Sequence, residues 1–360
     1  MRRGIVAGLF LGLAPLTAAA ATLQERVEAL EKRDAELYHT LEEKRAAGRM
    51  SLIAERISIS GLIELEAMYE RLDLKGGGDE SSSDLVLATA QLGIGAEVTD
   101  HLAATLILLY EEDEAAVTVD EATLDYSRDN WSSRMGRQYL PFGAYPSHFL
   151  SSPLTNELGE TQNTALLLGF EQEWFAVSAF LFNGPAGHTA DVGHLNDWGV
   201  SVAATPVPGV EFGVSFLSDL ADSGAELVPG MNYAKRVPGW SAYGIAALGP
   251  VEILGEVLGA TTAFSAVDLD GDGDGSGDRP WAWNLEVSTE VGESVEVAAR
   301  IEGSDEFTDQ PELQYGACVS WSPWENVSTS LEILRGEFDD AFGGGADSRT
   351  LFTAQLAAEF

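Results

Sequence analysis

From Ile57 to Phe360 the chain repeats one pattern, an alternation of apolar and polar side chains. Near the end Phe352, Ala354, Leu356, Ala358 and Phe360 alternate with Thr353, Gln355, Ala357 and Glu359. Successive side chains of a strand point to opposite faces, so each set has a face of its own. Ile57, Ile59, Gly61, Ile63 and Leu65 likewise oppose Ser58, Ser60, Glu64 and Glu66, with Leu62 the exception. Val86, Ala88, Ala90, Leu92, Ile94 and Ala96 oppose Leu87, Thr89, Gln91 and Gly95. Val295, Val297, Ala299 and Ile301 oppose Glu296, Ala298, Arg300 and Glu302, and Val327, Thr329, Leu331 and Ile333 oppose Ser328, Ser330 and Glu332. A sheet built this way is apolar on one side and polar on the other.

The connections carry an independent signal. Short ones fall at Thr99-Asp100, Ser127 to Trp131, Glu173, Pro206 to Gly209, Gly249-Pro250, Val291 to Glu293 and Ser322 to Glu325. Between them lie long ones at 70–83, 140–162, 184–196, 219–239, 262–280, 304–311 and 339–348, with 112–114 short where a long one is expected. Short turns on one rim and long loops on the other are the habit of an even-stranded transmembrane barrel. The expected fold class is therefore all-β, an up-and-down antiparallel β-barrel of about 16 strands over residues 57–360. Tyr69, Tyr110, Tyr126, Trp131, Trp198, Trp240, Trp281, Trp321 and Trp324 sit near expected strand ends, where rings with a polar handle favour a membrane interface.

The start of the chain has a different character. Arg2 and Arg3, an apolar run from Gly4 to Leu16 and the small residues Ala18 to Ala21 form a secretory signal over residues 1–21. Residues 22–48 predict a helix, with Leu23, Val27, Leu30, Leu37 and Leu41 on an a/d seam and Asp34 between them. This segment is expected to form a short α-helical coiled coil in the periplasm, covered by copies of itself in a homotrimer, or to lie as a single helix on the barrel mouth. Residues 49–56 link it to the barrel. Beyond residue 22, charges interrupt every apolar stretch, although 45% of the chain is hydrophobic. A closed barrel reconciles export, apolarity and the lack of a spanning helix, because it satisfies its own backbone in lipid.

With 58 acidic against 20 basic residues the net charge is −38, which argues against nucleic acid or any polyanionic partner. An acidic lumen, acidic surface loops or a saline habitat would each account for it. Cys318 is the sole cysteine, so no internal disulfide exists, and its strand context predicts a structural or lumen-facing thiol. No nucleophile elbow, phosphate loop or dinucleotide fingerprint occurs, so no enzyme activity is expected. The histidines show no zinc spacing, and only His188 and His194 share an expected loop.

Three groups of residues are candidates for function. The loop after Tyr139 is long and rich in aromatic residues and proline, and loops of that kind are usually functional. Arg137, Tyr139, Glu157 and Glu160 are expected at a pore constriction formed by this loop, with a lid over the outer mouth as the alternative. Glu64, Glu66, Glu252, Glu256, Glu286, Glu296, Arg300, Glu302 and Glu332 are expected to line the pore, where acidic walls favour cations. Asp268, Asp270, Asp272, Asp274 and Asp278 alternate with glycine and leucine, a set of hard oxygen ligands suited to calcium. The twelfth position from Asp268 is Arg279, so the bidentate glutamate of an EF-hand is missing, and a flexible acidic tip is the alternative.

The signal segment, the short coiled coil, the entry strand Ile57-Ser58-Ile59-Ser60-Gly61, the run Gly136 to Gly143 (Gly-Arg-Gln-Tyr-Leu-Pro-Phe-Gly) and the terminal Phe360 together resemble the LbtU-type siderophore porin family. The resemblance implies a sixteen-stranded outer-membrane channel for a ferric siderophore, embedded in outer-membrane lipid. It also implies handling by the barrel-assembly machinery through the aromatic terminus at Phe360. The Leu-Pro-Phe-Gly element occurs in phosphate-selective and other porins too, so a general, cation-selective or phosphate porin stays open. An envelope-anchoring structural protein is the alternative of another class. The chain is too short for a 22-stranded barrel with a plug, which favours diffusive passage.

Overall fold

The computed structural model describes residues 56–112, 116–187, 194–229 and 232–360. The expected signal, coiled-coil helix and nearly all of the linker lie outside the described residues, as does His188.

Sixteen strands form one closed antiparallel barrel. They are β1 (Ile57–Leu74), β2 (Asp79–Thr99), β3 (Leu102–Tyr110), β4 (Thr118–Arg128), β5 (Trp131–Tyr139), β6 (Gln162–Gln172), β7 (Phe175–Phe182) and β8 (Asp197–Val207). The second half holds β9 (Val210–Leu217), β10 (Gly239–Leu248), β11 (Val251–Ala260), β12 (Trp281–Val291), β13 (Val295–Asp305), β14 (Leu313–Trp324), β15 (Val327–Glu337) and β16 (Ala346–Glu359). Each strand pairs with its neighbours in sequence, and β1 closes on β16 with Ala67 opposite Ala354. Closure pairs β1 with β16, so the closed part of the wall has no free edge strand. At the seam Phe360 and Gly61 exchange backbone hydrogen bonds of 2.8 and 3.0 Å. The Phe360 ring lies over Gly61, where a Cβ would sit 2.3 Å from its Cζ.

Alternation sorts the side chains as the sequence implies. Ile59, Leu65, Phe352 and Leu356 are exposed on the outer surface, while Thr353 and Gln355 are buried inside. Leu62, the exception to the pattern, is an inward residue only 1% exposed. Tyr126, Trp131, Trp174, Trp321 and Trp324 ring the short-turn rim, and Tyr69, Trp198 and Trp281 lie toward the other rim. Left-handed Asp129, Gly209, Gly249, Gly292 and Asn326 let the chain reverse in the tight turns of the first rim.

One connection departs from expectation. The segment 70–83 is not a long loop, because β1 and β2 run on to Leu74 and Asp79 and leave a turn of 75–78. The polar run Glu80-Ser81-Ser82-Ser83 pairs with Leu72 to Tyr69 and faces no apolar phase on either side. Alternation cannot mark a strand whose two faces are both wet.

The apolar core is inside the barrel, toward the long-loop rim. Leu140, Phe142, Leu154 and Leu158 of segment 140–161 pack with Phe180, Phe182, Leu217, Leu220, Val237 and Leu258. Loops from several hairpins therefore share one buried cluster within the barrel mouth. Burying each such side chain is worth about 1.5–3 kcal/mol.

Gly136 tests the backbone that launches this segment. Its φ is 138°, and an added Cβ would lie 1.9 Å from the Ala122 carbonyl oxygen. Gly136→Ala should destabilise the barrel by more than about 1 kcal/mol. The expected readout is a lower urea midpoint for unfolding in detergent micelles, with an unchanged midpoint counting against this account.

Candidate pore constriction

Segment 140–161, here L3, leaves β5, enters the barrel and returns to β6. Its neck is closed by a 2.8 Å hydrogen bond from Leu140 N to Thr161 O. Inside it forms one short helix, α1 (Leu154–Gly159), which packs on β11, β12 and β13. The rest has no ladder partner, so its amides need other acceptors.

The wall supplies them as carboxylates. Glu256 accepts from Ala144 N and Tyr145 N, both at 2.9 Å, and from the hydroxyls of Thr155 at 3.2 Å and Ser241 at 3.0 Å. Glu286 accepts from His148 N at 2.9 Å and Ser147 Oγ at 2.8 Å. Glu332 accepts from Leu150 N at 2.8 Å and Ser151 N at 3.0 Å, and Glu302 from Leu154 N at 2.7 Å. Hydrogen bonds to an ionised group contribute about 1.5–3 kcal/mol each.

Two cations complete the seam. The imidazole of His148 lies between Glu252, at 3.0 Å from Nε2, and Glu296, at 2.8 Å from Nδ1. Burial alone would depress its pKa, but the hydrogen bonds to Glu252 and Glu296 and the charges of Glu296 and Glu286 outweigh burial and push it up to about 10. Arg300 lies 3.4 Å from Glu286 and 3.0 Å from Glu302, donates to Ser151 O at 2.8 Å, and stacks 4.4 Å from the Phe149 ring centroid. Pairing places these groups in level rows across four strands, β11 to β14. Glu256, Asn284, Glu302 and Gln314 form one row, and Glu286 with Arg300 the next.

This geometry corrects the expected pore lining. Glu252, Glu256, Glu286, Glu296, Arg300, Glu302 and Glu332 face inward as predicted, but L3 is bonded to all of them. Glu66 is buried and accepts from Gln355 at 2.8 Å. Of the nine, only Glu64 lines a cavity of about 620 Å³ between L3 and the wall of β5 to β10. Its other lining includes Ser132, Arg134, Ser178, Ser201, Glu211, Ser215 and Tyr243, none of them anticipated. Alternation revealed which residues face inward, but not which of them a loop would cover.

The expected constriction residues separate. Tyr139 and Glu160 border the cavity. The Tyr139 hydroxyl donates to Asp120 at 2.9 Å, and Asn156 donates to Glu160 at 3.1 Å. Glu157 stands on α1 away from the cavity lining. Arg137 is corrected outright. It pairs with Ala122 and Thr164, on the parity of Leu124 and Met135, which are 53% and 55% exposed on the outer face. Its guanidinium donates to Val119 O at 3.0 Å and to Gln162, which holds it at the strand ends and away from the cavity lining.

The aspartate loop also divides. Asp270, Asp272 and Asp278 bring carboxylate oxygens within 4.8 Å of one another. Asp268 is instead spent on Ala234 N, Lys235 N and Ser265 Oγ, fastening this loop to its neighbour. Asp274 caps Ser276 N within its own turn. A second cluster, Asp197, Asp219 and Asp222, is buried beside Arg236, 2.7 Å from Asp197. Its members are scattered in sequence, so no local motif marks them. Burial, then the charges of Asp219 and Asp197, push Asp222 up to about 8.

Glu256→Leu should leave two L3 amides and two hydroxyls without acceptors and loosen the loop. Limited chymotrypsin digestion should then cut near Tyr145 and Phe149 in the variant and spare the parent; equal resistance would refute the latch. The His148 contribution has a defined pH window. Its folded pKa is raised, so the ion pairs are fully present below about 6.5, the reference histidine value, and are lost as pH rises through about 10. Resistance of L3 to proteolysis should therefore hold at neutral pH and fall above about pH 10, less so in His148→Leu.

No family model matches the chain. It is 26% identical over 272 residues to a UPF0422 protein of Coxiella burnetii, covering 70% of this chain and 57% of that one. It is 24% identical over 205 residues to UPF0422 protein lpg2959 of Legionella pneumophila, covering 52% and 37%. The chain thus spans little more than half the length of the first of these relatives. Among solved structures, an anion-selective porin from Comamonas acidovorans superposes with a TM-score of 0.62 at 14% identity, over 84% of this chain and 99% of that one. OmpF of Salmonella typhi, in complex with daunomycin, gives 0.58 at 10% identity over 84% and 97%. At these identities the likeness concerns the fold, and the fold of this chain is a closed sixteen-stranded porin-like barrel.

Proposed function

We propose that this protein is an outer-membrane channel through which small solutes diffuse past L3. The observation that carries the reading is the loop itself, bonded across the acidic half of the wall and leaving a cavity of about 620 Å³ beside it. The apolar outer surface and its aromatic rims support residence in a bilayer. β1 begins, and the chain ends, at the short-turn rim, in keeping with a periplasmic linker, a helix over 22–48 and a signal over 1–21. A homotrimer and recognition of Phe360 by the assembly machinery belong to the same reading. The ferric siderophore comes from the family resemblance alone. Uptake of a ferric siderophore by liposomes holding the purified protein tests that part, and uptake no faster than in empty liposomes would discard it.

The residues bordering the cavity favour cations over anions. Glu64, Glu160, Glu171 and Glu211 line it, and its one basic side chain, Arg134, is ion-paired with Asp125. Calcium in the 268–278 loop belongs to this reading through Asp270, Asp272 and Asp278, whose oxygens converge. Calorimetric titration with calcium should give heat that Asp270→Asn abolishes.

Glu160 makes the cation preference pH-dependent. Burial pushes its carboxyl up to about 7, so its charge is lost as pH falls through that value. Reversal potentials in a potassium chloride gradient should show stronger cation preference at pH 8 than at pH 6. The difference should shrink in Glu160→Gln. An anion preference at pH 8 would overturn this assignment.

A further inference from the structure

Around the barrel seam the outer wall is ordered in rows. Pairing from β1 through β16 and β15 to β14 sets Ala67, Ala354, Leu331 and Val319 at one level. Tyr69, Phe352, Ile333 and Ala317 form the next level, two residues nearer the long-loop rim. Arg71, Thr350, Arg335 and Tyr315 form the level above that. The two lower levels are apolar, and three alanines stand in them among larger side chains. All eight of their residues line a groove of about 490 Å³ on the outer face. The Tyr69 and Phe352 rings, 6.3 Å apart between centroids, stand at its upper end, directly beneath Arg71 and Thr350.

The arginine row lies where the wall turns from apolar to polar. Phe360, at the short-turn rim, and Thr350 are ten residues apart along one strand. At a rise of about 3.4 Å per residue and a tilt of about 40°, they differ in height by about 26 Å. The apolar band of a transmembrane barrel is about 25 Å tall, so this row meets the level of the lipid headgroups. Both guanidiniums face outward in part, with side chains 50% and 37% exposed for Arg71 and Arg335. Arg335 donates to Thr350 Oγ1 at 2.7 Å and to Ser348 Oγ at 2.5 Å, which fixes it in the row. Asp73 and Glu337 stand one level farther out, flanking Ser348. Asp73 lies 3.2 Å from Arg71 and 3.5 Å from Arg335, and Asp79 lies 3.7 Å from Arg71. Exposed ion pairs of this kind contribute little, whereas a phosphate taken by a guanidinium fork forms short, charge-assisted hydrogen bonds. The two arginines are two strands apart, about 10 Å between backbones, so both side chains can reach one phosphate.

We propose that this face of β14, β15, β16 and β1 is a binding site for a membrane lipid with a phosphate headgroup. An acyl chain lies in the groove, and the phosphate sits on Arg71 and Arg335, with the hydroxyls of Thr350 and Tyr315 as further donors. The groove is continuous with the lipid-facing wall, so lipid is its natural occupant, and the arginine row above it selects the headgroup by charge. The proposal rests on the residence of the wall in a bilayer and is independent of conduction.

Native mass spectrometry of the full chain in detergent micelles, titrated with diphosphoryl lipid A, tests it. Lipid A should half-saturate the protein at a concentration about tenfold below that of phosphatidylcholine, whose phosphate carries a choline. In Arg71→Gln/Arg335→Gln that concentration should rise about tenfold for lipid A and stay unchanged for phosphatidylcholine. Ala354→Trp, which fills the groove and leaves both arginines in place, should also weaken lipid A binding, and this guards against a folding defect in the double variant. Arg128→Gln removes an exposed charge at the opposite rim and should change nothing. Equal lipid A binding by parent and double variant would overturn the site. Oligomers that Ala354→Trp dissociates, with lipid A binding intact, would give the face to a second copy and overturn it as well. A parent that inserts into liposomes but binds lipid A no better than phosphatidylcholine overturns this proposal alone. A parent that stays in the aqueous phase beside liposomes overturns the bilayer reading too.

Discussion

A carboxylate that faces the inside of a protein must find donors, or its burial costs several kcal/mol. In this barrel the donors come from a loop. Glu256, Glu286, Glu302 and Glu332 stand in three successive inward rows of one half of the wall and take up the amides of L3. L3 for its part has no ladder to satisfy those amides. Each side removes the other's unpaired polar groups, and His148 and Arg300 reduce the negative charge that remains. The shape of the lumen depends on this exchange, because a loop not held against the wall would share its space with the passage.

The exchange makes the lumen two-sided. From β11 to β15 the wall is acidic and covered. From β5 to β9 it is hydroxylic and open, and its charges are few and placed toward the margins. Between the two, Phe142 and Leu154 carry L3 into the apolar cluster that also holds Leu220, Val237 and Phe264 from later loops. Polar bonding fixes the loop laterally, and apolar packing fixes it from the long-loop side. Either alone would leave a segment of this length a choice of positions. Together they define one.

The barrel was legible because its signal is periodic and redundant. Each strand repeats the same alternation, and the spacing of turns repeats the same rhythm, so an error in one strand does not propagate. It failed only at 70–83, where Glu80 to Ser83 have no apolar face. The site was half legible. That Glu256, Glu286, Glu302 and Arg300 share one phase follows from parity, and all four are buried. That they hold a loop does not follow from parity, since covering is a tertiary fact. Arg137 shows the reverse failure. Its neighbours in sequence, the Gly136 to Gly143 run, suggested a functional loop, while its own parity already assigned it to the outer face with Met135.

The open half is illegible in the sequence for a related reason. A serine in a strand is an ordinary residue, and Ser132, Ser178, Ser201, Ser215 and Ser241, one to a strand and far apart along the chain, make no motif. They fall into one row, with Gly169 between Ser132 and Ser178, only through register, which the sequence implies and does not print. Register also explains the glycine. A side chain at that point would collide with the Ser132 hydroxyl and break the row between β5 and β7. The same register that aligns acids for the loop aligns hydroxyls opposite it, so one set of strand pairings builds both faces of the barrel interior. A slip of a single residue would turn both faces outward at once. Retention of both inner faces therefore requires strict pairing along the whole wall.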